Sequence, residues 1–167
     1  MSRRLRAAVL LVMLLLAGAA LAQEPPRRSA LDWPAIDGAS AASLQLGQEE
    51  DAVLALFGAP DETLASPLAG RLLRYEILPH VRLEVHARAG RLEAIGFTVI
   101  DGQVPARSPR TVRGIELGAP MVWVAERYGP PVGGRHWYAE PGIAFNLESA
   151  ADTVQSILIF APGRLAP

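Results

Sequence analysis

The sequence predicts an α+β fold: two tandem repeats, each a short helix followed by a three-stranded antiparallel meander, forming one sheet with the helices on one face. Three observations predict it. Leu46-Gly47 recurs as Leu117-Gly118, and Phe57-Gly58-Ala59-Pro60 as Tyr128-Gly129-Pro130-Pro131, both at an offset of 71, with Val53 matching Val124 between them. Val81, Leu83 and Val85 match Ile143, Phe145 and Leu147 at an offset of 62, as Leu92, Ile95 and Phe97 match Val154, Ile157 and Ile159. In both copies a helical spacing of apolar residues gives way to strict alternation. The two offsets differ by nine, so the second copy lacks nine residues between its proline and its second strand.

The elements follow in chain order. Residues 1–22 read as a secretory signal peptide: Arg3, Arg4 and Arg6, then an apolar run too short for a membrane span, then Ala20-Leu21-Ala22 as a cleavage site. Residues 23–42, rich in Pro, Arg, Ala and Ser, read as a flexible lead in which Leu31, Trp33 and Ile36 can dock on a surface. Repeat 1 spans residues 43–100. Acids at 49–51 suit a first helical turn, Val53 and Phe57 share a helix face, Gly58 ends the helix and Pro60 prevents its restart. A weak strand at 72–78 precedes Val81-Arg82-Leu83-Glu84-Val85-His86, whose alternation marks a half-buried strand. Ala89-Gly90 then turns the chain into a strand over 91–100.

A linker over 101–111 carries Pro105 and Pro109. Repeat 2 spans 112–162, with Pro120 near the first helical position, Val124 and Tyr128 on the buried face, and strands at 135–139, 143–148 and 153–160. Residues 163–167 form a tail. With both helices on one face, the other sheet face stays open. It carries Arg82, Glu84 and His86 in one half, and Ala144 and Asn146 with Leu158 and Phe160 in the other.

Composition narrows the function classes. The 167 residues contain no Cys, which excludes a disulfide framework, a thiolate metal site, a cysteine nucleophile and a lipid-modified cysteine. All 16 basic residues are Arg, which suggests the codon usage of a GC-rich bacterium. Without the first 22 residues the chain keeps 13 Arg against 17 acids, a net charge of −4, and no basic run with interleaved aromatics. A nucleic-acid partner is therefore not expected.

The pattern Leu-Gly, Val-x-x-x-Phe/Tyr-Gly-x-Pro, then a meander resembles the SmpA/OmlA (BamE) superfamily over about residues 44–162. Its tandem form is similar to the beta-lactamase inhibitory proteins, which pair two such units into a concave sheet. The resemblance implies a non-catalytic exported protein that binds another envelope or secreted protein, with no cofactor and no lipid anchor.

The residues themselves carry little catalytic chemistry. His80, His86 and His136 lack metal-ligand spacing, so no metal is expected. Arg74 and Arg82 alternate with Glu76 and Glu84, as cross-strand ion pairs would require. Ser108, Ser149 and Ser156 lack a nucleophile-elbow setting, and Pro130-Pro131 removes the donors a phosphate loop needs. The aromatics of repeat 2 stay open to two readings. Trp137 and Tyr138, beside His136, either fill the gap left by the missing residues or form a contact surface. The candidate partner-binding set is Trp137, Tyr138, His136, Phe160, Arg82, Glu84 and His86. The alternative function is a small-ligand binder, or an enzyme, with a pocket between sheet and linker and converging polar groups.

Overall fold

The computed structural model describes residues 35–68, 70–132, 135–146 and 151–163. The signal peptide, the lead up to residue 34, Leu147, Ser149 and residues 164–167 of the tail lie outside the described residues. Two short strands, β1 (Ser40–Ala41) and β2 (Leu44–Gln45), pair with each other. Helix α1 (Asp51–Phe57) follows, then strands β3 (Glu62–Ala65), β4 (Arg71–Leu78), β5 (Val81–Arg88) and β6 (Arg91–Val99). Helix α2 (Met121–Tyr128) precedes β7 (His136–Tyr138), β8 (Ile143–Phe145) and β9 (Ser156–Phe160). The last seven strands form one antiparallel sheet in the order β3-β4-β5-β6-β9-β8-β7.

This architecture overturns the expected tandem repeat. The described chain is mostly strand, with only two short helices of seven and eight residues. Its halves are unequal. Residues 62–99 supply four strands of four to nine residues, whereas β7, β8 and β9 have three, three and five. Strand β3 has no counterpart among the described residues of the second half. It forms because Ser66 donates its N–H to the Gly70 carbonyl at 2.9 Å, closing a turn that returns residues 62–65 alongside β4. Gly70 is confined to glycine by space and by its φ of +85°: a Cβ there would lie 2.2 Å from the Ala87 carbonyl oxygen.

Alternation decides which side chains meet. In β5, Val81, Leu83 and Val85 enter the main core, where they join Leu73, Tyr75 and Ile77 of β4 and Ile95 and Phe97 of β6. Ile157 and Ile159 of β9, Ile143 and Phe145 of β8, Val53 and Phe57 of α1, and Val124 of α2 complete it. Both helices end at a glycine, Gly58 and Gly129, whose N–H closes the last turn on Leu54 and Ala125.

From Ala35 onward the expected lead is built into the fold rather than flexible. Ala35 and Ala42 are buried, and Ala35 bonds through its N–H to the Arg110 carbonyl and through its carbonyl to the Val112 N–H. Asp37 fastens this segment to the second half. It accepts the Tyr128 hydroxyl at 3.1 Å and faces the Arg113 guanidinium at 3.3 Å. Among the described residues, no helix is long and apolar enough to cross a membrane.

The opposite sheet face is not open in the second half, contrary to expectation. Ala94, Trp137, Ala144 and Phe160 form a small buried cluster there, with Leu68, Ala139 and Leu158 packed against it. Apolar area large enough to be hidden has been hidden, by the turn between β3 and β4.

Phe97 sits on β6, the strand that pairs with both halves, and is fully buried. Truncating it removes a ring from a packed interior. Phe97→Ala is expected to lower the unfolding free energy by about 3–5 kcal/mol in urea titration. A loss below about 1 kcal/mol would contradict this placement of the core.

Candidate functional site: a groove on the second sheet face

Residues directly opposite each other in antiparallel strands point to the same face. The registers therefore define one row that crosses the whole sheet: Glu62, Arg74, Glu84, Gly96, Leu158, Ala144 and Trp137. The row is charged at one end and apolar at the other. Gly96 stands at the change, in the middle of a strand. A glycine there leaves a missing side chain, which often marks close approach of another group. A Cβ at Gly96 would meet Leu158 Cδ1 at 3.2 Å and Glu84 Cβ at 3.8 Å.

The gap opens into a groove of about 360 Å³. Glu84 and His86 line one wall, Gly96 and Thr98 the floor, and Ser156 and Leu158 the other wall, with Pro67 and Leu68 alongside. Gln155, Val99 and Ile157 complete the lining. Glu84 is held at both oxygens: Arg74 Nε donates to Oε1 at 2.9 Å and the Thr98 hydroxyl to Oε2 at 3.2 Å. Arg74 also donates to Glu62 at 3.0 Å, so the charged end is an ion-pair ladder. This fits the alternation of Arg and Glu in the sequence.

His86 is buried, 6% exposed, rather than a surface histidine. Its Nδ1 lies 2.8 Å from Ser66 Oγ, which also receives the Leu68 N–H at 3.0 Å. The arrangement that satisfies all these atoms has the Ser66 hydroxyl donating to Nδ1, which assigns the ring proton to Nε2. Burial pushes the ring below the ordinary imidazole value, with Arg74 adding to the fall and Glu84 opposing it. The ring is therefore neutral near pH 7.

The structure divides the seven residues expected to bind a partner. Glu84 and His86 line the groove. Arg82, half-buried on the same face, stands opposite Glu76 and Thr98 and is not among the lining residues. Trp137 and Phe160 lie beside the groove but are buried, 6% and 0% exposed, and stack with ring centroids 4.3 Å apart. Tyr138 belongs to the main core on the opposite face, 5.4 Å from the Tyr128 ring, and donates its hydroxyl to the Gly129 carbonyl at 2.9 Å. His136 Nδ1 lies 3.2 Å from that hydroxyl. Of the two readings the sequence left open, the structure takes the filling one: Trp137, Tyr138 and Phe160 are buried, Tyr138 against Tyr128 and Phe145 in the main core, and Trp137 with Phe160 under Leu68 on the second face.

Sequence reasoning missed Ser66, Pro67, Leu68, Gly96 and Thr98. A Ser-Pro turn and a glycine inside an alternating strand were the available signals.

A larger groove of about 910 Å³ lies near Ile36, Ser40, Gln45, Leu46 and the β5–β6 turn. Its arginines are already spent: Arg88 pairs with Glu93 at 2.7 Å, and Arg91 pairs with Glu49 and donates to the Gly47 carbonyl. The smaller groove is the one set with fixed side chains: Glu84 held by Arg74 and Thr98, and His86 by Ser66. Among the described residues, no three His, Asp or Glu side chains are grouped to hold a metal.

No protein-family model matches the chain, and no curated protein matches it. Two solved structures share part of its path. One is an extracellular protein containing a SCP domain from Bacillus anthracis str. Ames, with TM-score 0.45 and 9% identity. The other is a cysteine-rich secretory protein from Staphylococcus aureus subsp. aureus Mu50, with TM-score 0.43 and 10% identity. Each match covers 70% of this chain and 44% of the other, so the chain spans less than half the length of either. The expected kinship with the SmpA/OmlA (BamE) superfamily and the tandem inhibitory proteins is thereby overturned. No family model matches, and the described strands form one seven-stranded sheet of unequal halves rather than two tandem helix-plus-meander units.

His86 makes stability depend on pH. The unfolded chain takes up the imidazole proton at the ordinary value of 6.5, before the folded chain does. Stability held by the neutral ring is full above about pH 6.5 and is lost as the pH falls below it. Urea unfolding from pH 8 to pH 5 should therefore show a steeper fall for the wild type than for His86→Gln. Parallel pH profiles for the two chains would count against a buried neutral ring.

Proposed function

We propose that the protein is an exported, non-catalytic binder of a small organic ligand, held in the groove on the second sheet face. The observation that carries this reading is the Gly96 trough, flanked by Glu84, His86 and Thr98 and edged by Pro67 and Leu68. Small-molecule sites are typically concave, roughly 300–1,000 Å³, mostly apolar, and set with a few fixed polar groups. The groove has this build. Its apolar side chains are Pro67, Leu68 and Leu158, and its polar groups are pinned by neighbours. Export is supported by the three-part leader in residues 1–22.

Binding rather than catalysis is supported by how Glu84 is used. A serine–histidine pair becomes nucleophilic when a third group orients the base. Ser66 and His86 form the pair, but the Glu84 carboxylate is engaged by Arg74 and Thr98. The protein-partner expectation came with the family resemblance, and its candidate aromatics Trp137, Tyr138 and Phe160 are buried, which favours the small-ligand alternative.

The test is a thermal-shift screen of the mature chain against a library of small organic compounds. A ligand at 100 times its Kd adds about 2.7 kcal/mol of stability. Compounds that raise Tm for the wild type are expected to lose the effect in Gly96→Val, whose side chain occupies the trough. If every stabilising compound acts equally on Gly96→Val, or none raises Tm, the reading fails.

A further inference from the structure

The apolar end of the sheet row holds a feature that groove binding alone does not use. Trp137 Nε1 is buried and, among the described residues, has no hydrogen-bond partner. A buried donor left unpaired costs free energy, and native proteins rarely retain one without a use. The indole stacks on Phe160 at an interplanar angle of 22°, and Leu68 and Leu158 pack against this cluster. The same two leucines line the groove. Cluster and groove are therefore adjacent, with Leu68 and Leu158 between them.

Of these two residues, Leu158 is fixed by its strand and Leu68 is not. Leu158 pairs across β9 with Gly96 and Ala144. Leu68 sits in the β3–β4 turn, where its own N–H is spent on Ser66 Oγ. Ser66 in turn joins the sheet through His86 Nδ1 at 2.8 Å. Leu68 thus rests on the aromatic pair by apolar contact, and one side-chain hydrogen bond fastens the turn above it.

We infer that the Trp137–Phe160 cluster is a closed compartment of the groove, plugged by Leu68, which takes an aromatic ring carrying a hydrogen-bond acceptor. The ring replaces the Leu68 side chain against the aromatic pair. The acceptor, a carbonyl, carboxylate or sulfonate oxygen, receives the Trp137 Nε1 proton. Stacked rings gain energy beyond their buried area, so an aromatic occupant outcompetes the aliphatic plug. This inference rests on the groove being the ligand site and adds the chemistry of the ligand's second part.

The probe is 8-anilino-1-naphthalenesulfonate, which has aromatic rings and an anionic acceptor. Phe replaces Trp33 and Trp123, so that Trp137 is the sole tryptophan and its emission reports the dye by energy transfer. Leu68→Ala is expected to tighten dye binding about fivefold while cooperative urea unfolding is retained. Ser66→Ala, which removes the turn's side-chain links to His86 and the Leu68 N–H and leaves its backbone closure on Gly70 and the apolar packing in place, is expected to act in the same direction. With Leu68→Ala and all native tryptophans present, Trp137→Phe keeps a ring and loses the N–H. It is expected to weaken binding about fivefold, the factor of one ordinary hydrogen bond.

No dye binding to Leu68→Ala or Ser66→Ala overturns the inference, as does binding that Trp137→Phe leaves unchanged. Gly96→Val separates the two readings, because it fills the trough but not the compartment. Stabilising compounds that remain sensitive to Gly96→Val, beside dye binding indifferent to Leu68 and Trp137, mean that the compartment is wrong and the groove is right.

Discussion

The pairing of β6 with β9 is the constraint on which the rest of the structure depends. Among the described residues, it is the only ladder that joins residues 62–99 to the short strands of the second half within the sheet. Three-residue strands such as β7 and β8 are too short to stand alone, since isolated hairpins are marginal in water. They persist because β9 extends a sheet already four strands wide. The register of that one ladder sets Phe97 opposite Ile157 and Ile95 opposite Ile159 in the core, and Gly96 opposite Leu158 on the other face. A slip by one residue would turn every one of these side chains to the wrong side.

That register also explains why the groove lies where it does. Long charged residues from β3, β4 and β5 meet apolar residues from β9, β8 and β7 across a strand that has no side chain at the junction. Charge on one bank is engaged internally, Arg74 bridging Glu62 and Glu84, so the groove presents fixed dipoles and one engaged carboxylate. The β3–β4 turn completes the site. It exists because Gly70 can approach Ala87 closely, and that same close approach brings Ser66 within reach of His86.

Much of this was legible in the residues, and the part that was not has a physical reason. The alternation in residues 81–86 placed Val81, Leu83 and Val85 in the core and Arg82, Glu84 and His86 on the second face. The helix ends at Gly58 and Gly129 and the turn at Ala89-Gly90 were equally local signals. What failed was the inference from repetition to architecture. Matching offsets in apolar positions record which residues face inward. They carry no information on strand length, so the unequal halves and the extra strand β3 were invisible. Residues 62–65 are all exposed and have no buried alternation to betray them. Burial of Trp137 and Phe160 was invisible for a related reason, since Leu68, which packs against them, lies 69 and 92 residues earlier in the chain.

The two ends of the sheet row satisfy their polar groups in opposite ways. At the charged end, each oxygen of Glu84 has a donor, and Arg74 divides its own between two carboxylates. At the apolar end, a stacked indole has its hydrophobic area covered but its single donor unmet. A phenylalanine at residue 137 would keep the stack without an unpaired N–H. An indole there costs the fold the desolvation of that N–H, of order 1–3 kcal/mol. Packing alone therefore argues against tryptophan at this position. The same residue is favoured where an acceptor reaches the N–H, as it would for a ring bound in place of Leu68.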